Sequence, residues 1–510
     1  MSHVIERPLA LVILDGWGIA PAGPANAISK AHTPFYDHIC RRFPQTSLAA
    51  AGESVGLSAG APGNAEVGHL NLGAGRAIPS DAVRIDHSVR SGEFDENKAL
   101  NTAMSSAAER GAGVHLIGLI SDGGVHSSME TLYALLRMAK RVEAENVFVH
   151  AILDGRDVPA RTADVYVEAL ELKMSDIGVG CLASLCGRFF AMDNSGNWER
   201  TAGVYTMLVH ADGERSREAE SAVRRSFLRG ISDEFIAPIV IETDEGEPVA
   251  TIRDGDAVIF FNHRAEAMLQ LTKSVSVNDG STAKPNIDTV CMVEYDRGFG
   301  LLVAFEPEKN VTGLGTVLAA NRVSNYRIAE ECRFPHVTRI FNAGIDTAGW
   351  NEQHFQVVAA NRSFQEAEPE MESFKVADKF LRALEADPAG LFVVNISAPA
   401  VSAEAGNLIR TVEAVQFADT CLGGIVEGIL GTGGTAIVTS SNGSCEEVLD
   451  CSGRPGITST ANDVPFHLIS ENMLGVKLRK GALADVAPTI LGILDVSKPC
   501  EMSGSDLRIN

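Results

Sequence analysis

Four short segments, each just past an apolar run, carry residues able to grip an anion. Asp154-Gly155-Arg156-Asp157 places two acids and a base in one turn, a compact arrangement for holding hydroxyls beside a carboxylate or phosphate. Gly123-Gly124-Val125-His126-Ser127 opens a helix, where free backbone N–H groups and the helix dipole favour negative charge. Gly187-Arg188 and Asn262-His263-Arg264 each set an arginine just past a strand. Taken singly, such a loop reads as a turn with a surface salt bridge, and a lone histidine there equally as a helix cap. Taken together, the convergent Arg and His groups predict a small anionic ligand. A fifth segment, Gly63-Asn64-Ala65-Glu66-Val67-Gly68-His69, has the layout of a tight turn and helix start that would present a nucleophile. At that point stands Ala65, whose methyl group cannot attack anything.

These loops need a scaffold, and the sequence supplies one. Short apolar runs alternate with helix-length amphipathic stretches almost throughout, which is the α/β pattern. Pro8–Leu14, Val114–Ile120, Val147–Leu153, Cys181–Cys186, Ala257–Phe261, Leu391–Asn395, Thr435–Thr439 and Pro465–Ile469 read as strands. Ser128–Asn146, Arg161–Met174, Leu408–Gly431 and Leu483–Leu494 read as helices, with apolar residues at helical spacing. Ligands in open α/β sheets gather beyond the carboxyl ends of the strands, where these polar loops fall. Asn278–Asn286, rich in Asp, Gly, Ser, Thr and Pro, reads as a surface loop. There is no internal repeat and no linker that divides the chain, which points to a discontinuous domain.

A chain of 510 residues exceeds one ordinary core and predicts two domains. Its formal net charge of −23 argues against nucleic acid or an anionic membrane as the main partner, while leaving room for a small anion in a local basic pocket. Nine cysteines, an odd number without a C-x-x-C pair, fit a reducing compartment better than a disulfide framework. Cys445 and Cys451 read as buried thiols rather than as metal ligands. The polar start, Met1–Arg7, leads straight into a strand and reads as no signal peptide. No apolar run approaches the roughly 20 residues of a membrane span. The composition thus predicts a cytoplasmic protein.

The same words, in order, resemble the cofactor-independent phosphoglycerate mutases of the alkaline phosphatase superfamily. They are Asp15-Gly16-Trp17-Gly18, Gly56-Leu57, Gly63–His69, Asn71-Leu72-Gly73-Ala74-Gly75-Arg76, Asp122–Ser127, Asp154–Asp157, Ala191-Met192-Asp193, Leu483–Thr489 and Glu501-Met502-Ser503-Gly504. The resemblance spans essentially the whole chain. It implies an alkaline-phosphatase-like domain, residues 1–78 and 313–510, that in the family binds two divalent ions, commonly manganese, and carries a serine that accepts the phosphoryl group. It implies an inserted α/β transferase-like domain, residues 79–312, that closes over the substrate. By similarity His126, Arg156, Asp157, Arg188, Arg264 and Arg333 would touch a phosphoglycerate, Arg333 standing where the family has a lysine. Asn194 and Ala267 stand where it has arginines.

The departures concentrate in the metal domain. The family's Gly-Asn-Ser-Glu-Val-Gly-His has Ala65 in place of its serine. Its Asn-Tyr-Pro-Asn-Gly-Asp-Met-Val-Gly-His matches Asn395–Glu404, so that Ala400 replaces an aspartate and Glu404 a histidine. Its Ala-Asp-His-Gly-Asn matches Ser440–Ser444, with Ser441 and Asn442 replacing an Asp–His pair, and Ser459 stands at the last histidine. Only Asp15 survives among the ligands that the resemblance implies. Two-metal centres need several Asp, Glu, His or Cys donors at once. Three expectations follow. The chain should lack a dinuclear centre and need no cofactor, with a single ion at Asp15 and Glu404 as the other arrangement left open. A polar neighbour such as Ser441 or Asn442 should hydrogen-bond the buried Asp15 carboxylate. The protein should be a catalytically inactive pseudoenzyme with a regulatory, ligand-sensing or scaffolding role, bound to a small anionic metabolite such as a phosphoglycerate or to a protein partner. The alternative is an enzyme that interconverts 3-phosphoglycerate and 2-phosphoglycerate, or performs related phosphoryl chemistry, through a changed site in which Ser441, Ser397 or Ser402 takes over as nucleophile.

Overall fold

The computed structural model describes residues 8–278, 284–308, 312–345, 349–358, 369–450, 452–456 and 459–509. Two compact units divide the chain: residues 1–80 with 309–510, and residues 81–308 inserted between them. Each is built on its own eight-stranded sheet.

In the first unit the strands run in the order Glu352–Val357, Asn325–Glu330, Leu391–Ile396, Leu9–Leu14, Thr435–Thr439, Val464–Ile469, Gln45–Ala49, Gly481–Ala482. The five from Glu352–Val357 to Thr435–Thr439 are parallel, and Val464–Ile469 turns antiparallel to both of its neighbours. Leu9–Leu14 is buried along its whole length, as its unbroken apolar run requires of a strand covered on both faces. Helix Leu408–Gly431 covers one face through Val415, Leu422 and Ile425. On the other face, Leu72 of helix Ala65–Ala74 and Val486 and Ile490 of helix Val486–Ile493 join the core.

The inserted unit has the order Leu302–Phe305, Asp288–Val293, Ala257–Phe260, Val114–Ile120, Val147–Leu153, Cys181–Gly187, Ile239–Ile241, Glu214–Ser216, with a single antiparallel pairing, between Cys181–Gly187 and Ile239–Ile241. Helices Met129–Arg141 and Ala163–Ile177 bury the apolar stripes read from their spacing. The strands and helices read from the sequence occur within a few residues of their expected limits. Leu483–Leu494 is the exception in kind, a turn of 3₁₀ helix at Leu483–Asp485 followed by α-helix from Val486. Most of the expected loop at Asn278–Asn286 lies outside the described residues. Among the described residues no helix is long and apolar enough to cross a membrane.

His467, the sole histidine after His354, sits in the middle of Val464–Ile469. It is fully buried, edge-on to Tyr36, with Nε2 3.2 Å from the tyrosine oxygen. Burial pushes its pKa down to about 4 from 6.5, so the folded protein holds it neutral. Because the folded value is the lower one, this stability is fully present above pH 6.5 and drains away as pH falls towards 4. The shift corresponds to about 3 kcal/mol over that window. Urea unfolding at pH 7.5 and 4.5 should therefore show a smaller acid loss in His467→Gln than in the parent. Equal losses would contradict the assignment.

Candidate active site

Asp15 closes the first strand and is completely buried. The chain leaves it through Gly16, whose φ of +78° and tight surroundings exclude a side chain: a Cβ there would lie 2.4 Å from Ser444 Oγ. Ser441 Oγ donates to Asp15 Oδ1 at 2.6 Å and Asn395 Nδ2 donates to Oδ2 at 3.0 Å. Arg333 Nε lies 3.5 Å from Oδ2, and His69 Nε2 lies 3.7 Å from Oδ1. Burial alone would raise the Asp15 pKa. The charges of His69 and Arg333 and the two hydrogen bonds outweigh it and hold the carboxyl below its ordinary value. Ser441 is thus the polar neighbour expected from the sequence.

The other positions in this unit are placed as follows. Ala65 is the first residue of helix Ala65–Ala74; the cap is Asn64, whose side chain accepts from Val67 N at 2.8 Å. The helix then packs so closely on the Ser441 loop that a Cβ on Gly68 would meet Ser441 O at 2.1 Å. His69 spans from Ala65 O, 2.7 Å from Nδ1, to Asn395 Oδ1, 3.0 Å from Nε2. Asn442 Oδ1 lies 2.8 Å from Ser441 Oγ, and Asn442 Nδ2 donates to Ser459 Oγ at 3.1 Å. Ala400 is buried against Gly16. Glu404 pairs with Arg333 Nη2 and lies half-exposed, so it supplies nothing to Asp15 directly. Arg333, expected among the substrate contacts, bridges Asp15 and Glu404.

Three residues in this neighbourhood gave no signal in the sequence. Glu330 is buried at the end of its strand, accepting from Ser373 Oγ at 3.1 Å, and burial pushes its carboxyl up to about 7. Cys332 Sγ lies 3.8 Å from Ser397 Oγ. His336 stands edge-on to His69, and burial followed by the charge of His69 pushes it down to about 4. Polar residues within strand ends and irregular turns carry no periodicity to betray them.

In the inserted unit the four loops do converge. His126, Arg156, Asp157, Arg188 and Arg264 line one cavity of about 480 Å³, together with Asn194, Ala267 and Arg200. Asp154 organises it: Oδ1 accepts from the backbone N–H of Arg156 and of Asp157, at 3.1 and 3.0 Å, and Oδ2 accepts from Ser121 Oγ at 2.6 Å. Arg188, at the start of a short helix, donates from Nη1 to Asp154 at 2.7 Å and to Asp157 at 2.6 Å, and its Nη2 faces His126 Nε2 at 2.8 Å. Burial, then the charges of Arg188 and Arg264, push His126 down to about 3, so its ring is neutral at physiological pH. Arg200 is paired with Asp193 and stacked on Phe189. Among the described residues Arg264 is ion-paired with exposed Glu266 alone, and Arg156 is exposed. These last two guanidinium groups are the ones least committed to the protein and best able to meet an anion.

A buried carboxylate follows a parallel strand of one sheet, and an arginine-lined cavity lies beyond the strand ends of the other, where open α/β sheets hold their ligands. Residues 85–297 match the family model described as the N-terminus of the BPG-independent phosphoglycerate mutases. The chain is 42% identical to the 2,3-bisphosphoglycerate-independent phosphoglycerate mutase of Desulforudis audaxviator, over 98% of this chain and 99% of that one. It is 40% identical to the mutase of the same description from Moorella thermoacetica, over the full length of both. A solved phosphoglycerate mutase from Leishmania mexicana, determined at low cobalt concentration, superposes with a TM-score of 0.75 at 25% identity over 100% of this chain and 99% of that one. The chain belongs to the 2,3-bisphosphoglycerate-independent phosphoglycerate mutase family.

This kinship corrects two expectations. The inactive pseudoenzyme with a regulatory or scaffolding role gives way to the mutase reading, because identity at this level runs through both units and the whole length of relatives described as mutases. The expectation of no cofactor gives way as well, since it rested on substitutions at a few positions while the solved relative was studied with cobalt. The residues around Asp15 nevertheless do not fit a pair of divalent ions. Their contacts to its carboxylate come from a hydroxyl, an amide, an imidazole and a guanidinium. Among the described residues no group of three or more His, Cys, Asp and Glu side chains converges as an ion site.

Proposed function

We propose that this chain interconverts 3-phosphoglycerate and 2-phosphoglycerate, with binding assigned to the cavity of the inserted unit and transfer to the residues around Asp15. The observation that carries the reading is the full-length identity to mutases, joined to a cavity lined by five of the six residues expected to touch the metabolite, Arg333 being the exception. Arg156 and Arg264 meet the anionic groups of the metabolite. Asp157, fixed by Arg188, accepts from a glycerate hydroxyl, and neutral His126 adds a hydrogen bond that does not titrate near pH 7.

Transfer needs an acceptor, and Ala65 has no hydroxyl to serve as one. The acceptor assigned is Ser441, whose Oγ already donates to Asp15. Bond formation from Oγ to phosphorus breaks the bond from phosphorus to the glycerate oxygen. Asp15 orients the seryl hydroxyl through its hydrogen bond, the seryl proton passes to the departing glycerate oxygen, and Arg333 offsets the negative charge that builds up. Return of the phosphoryl group to the other hydroxyl repeats these steps in reverse.

Phosphorus NMR of 3-phosphoglycerate with the purified protein, with and without added manganese or cobalt, tests the activity directly. Arg156→Ala should raise KM about 10- to 100-fold, the worth of one charge-assisted contact, with kcat changed less. An unchanged KM would remove Arg156 from the binding set.

A further inference from the structure

Arg200 lines the cavity and has no part in the steps assigned above, yet it sits where stability does not favour it. It is the third residue of helix Trp198–His210, in the first turn, where a cation opposes the helix dipole. Asp193 offsets this. Its Oδ1 accepts from the backbone N–H groups of Ser195 and Asn197, at 3.1 and 2.9 Å, and its Oδ2 accepts from Arg200 Nη1 at 2.7 Å. The guanidinium also lies over the Phe189 ring, 3.7 Å from its centroid, and Phe189 is braced by Phe190 and Phe235, with ring centroids 5.2 and 5.1 Å away. The side chain is thus fixed in place and in plane, although it is 30% exposed.

What the side chain presents follows from which donor is spent. Nη1 is committed to Asp193, and among the described residues Nε and Nη2 have no hydrogen-bond partner. The N–H bonds of these two atoms run parallel along one edge of the guanidinium, the fork that matches the two oxygens of a carboxylate or phosphate. Holding that edge still before a ligand arrives lowers the ordering cost of binding. Asn194 and Ala267 line the cavity without charge, so neither competes for the anion. Charge decides between the two anionic groups of a phosphoglycerate. Arg200 is already balanced by Asp193, and Glu234 lines the same cavity, so this fork suits the singly charged carboxylate. Arg156 and Arg264 are exposed and more lightly held, and the doubly charged phosphate falls to them.

We propose, resting on the phosphoglycerate reading of this cavity, that Arg200 is a specificity-determining contact: a preset fork that takes the carboxylate of the metabolite and selects phosphorylated acids over phosphorylated alcohols.

Calorimetric titration of the full-length protein with 3-phosphoglycerate and with glycerol 3-phosphate, which carries a hydroxymethyl group in place of the carboxylate, reads this contact. Arg200→Gln should bind 3-phosphoglycerate about 10- to 100-fold more weakly than the parent, the worth of a hydrogen bond to a charged group, and glycerol 3-phosphate within about twofold of it. A merely structural role would weaken both ligands alike. That result, or an unchanged affinity for 3-phosphoglycerate, would overturn the assignment. Arg200→Lys keeps the charge beside Asp193 without the fork. It should lose the preference as well, and a preference retained in full would refute the fork. A parent that binds both ligands equally would refute the selection. One that binds neither would sink the phosphoglycerate reading of the cavity and this contact with it.

Discussion

Replacing Arg188 with methionine should cost the inserted unit about 3–5 kcal/mol, the penalty for leaving buried charges without their partner. Arg188 is 9% exposed and its Nη1 serves Asp154 and Asp157 together. Burial pushes the Asp154 carboxyl up. Backbone donors led by Asp157, with Ser121 and Arg188, more than reverse this and leave it below its ordinary value. Without the guanidinium the balance moves back towards burial, and the loop that presents Arg156 and Asp157 loses its anchor. Binding should fail together with stability, because the same carboxylate that pairs with Arg188 also holds the Arg156 backbone. Arg264→Met offers the contrast. Its pair with Glu266 is about half exposed on both sides, so its removal should change stability by no more than about 1 kcal/mol while weakening binding. Urea unfolding of the two variants separates them, and similar stabilities would contradict the role given to Arg188.

Ser441→Ala should abolish turnover, with a loss on the order of a million-fold as for removal of a nucleophile that acts within a unit. It should also cost about 1.5–3 kcal/mol, the worth of a hydrogen bond to a charged group, because the buried Asp15 carboxylate loses a donor. Ala65→Ser should leave turnover unchanged. The new hydroxyl would sit on the first residue of its helix, while the contacts of Asp15 to Ser441, Asn395 and Arg333 stay as they are. Kinetic assays of both variants read this as a pair. Activity retained in Ser441→Ala would remove the acceptor role from Ser441, and activity raised in Ala65→Ser would place it at the helix start.

Much of this was legible in the residues. The buried strands are continuous apolar runs, and the cavity residues follow those runs directly, so position and chemistry coincided at His126, Arg156, Asp157, Arg188 and Arg264. The strand Asn325–Glu330 escaped for the opposite reason. It is entirely buried yet carries Asn325, Arg327 and Glu330. Arg327 is tolerated there because it lies over the Phe341 ring at 4.6 Å and reaches Asn342 at 3.2 Å and Glu352 at 3.5 Å, all on segments remote in sequence. Glu352–Val357 escaped because an edge strand with four polar residues in six has no apolar signature. In the Asp15 neighbourhood the sequence showed which residues had changed. It did not show that Arg333 turns towards Asp15 and Glu404, a contact that depends on tertiary placement. The inference of inactivity failed because it set the changed positions around Asp15 above a resemblance already visible along the whole chain.

The central claim is that this protein isomerises phosphoglycerate. Phosphorus NMR of 3-phosphoglycerate with the folded full-length protein, with manganese or cobalt supplied, measures it most directly. The substrate should approach a mixture of 3-phosphoglycerate and 2-phosphoglycerate, with the conversion lost in Ser441→Ala. No 2-phosphoglycerate above the protein-free control, from protein shown to be folded, would contradict it.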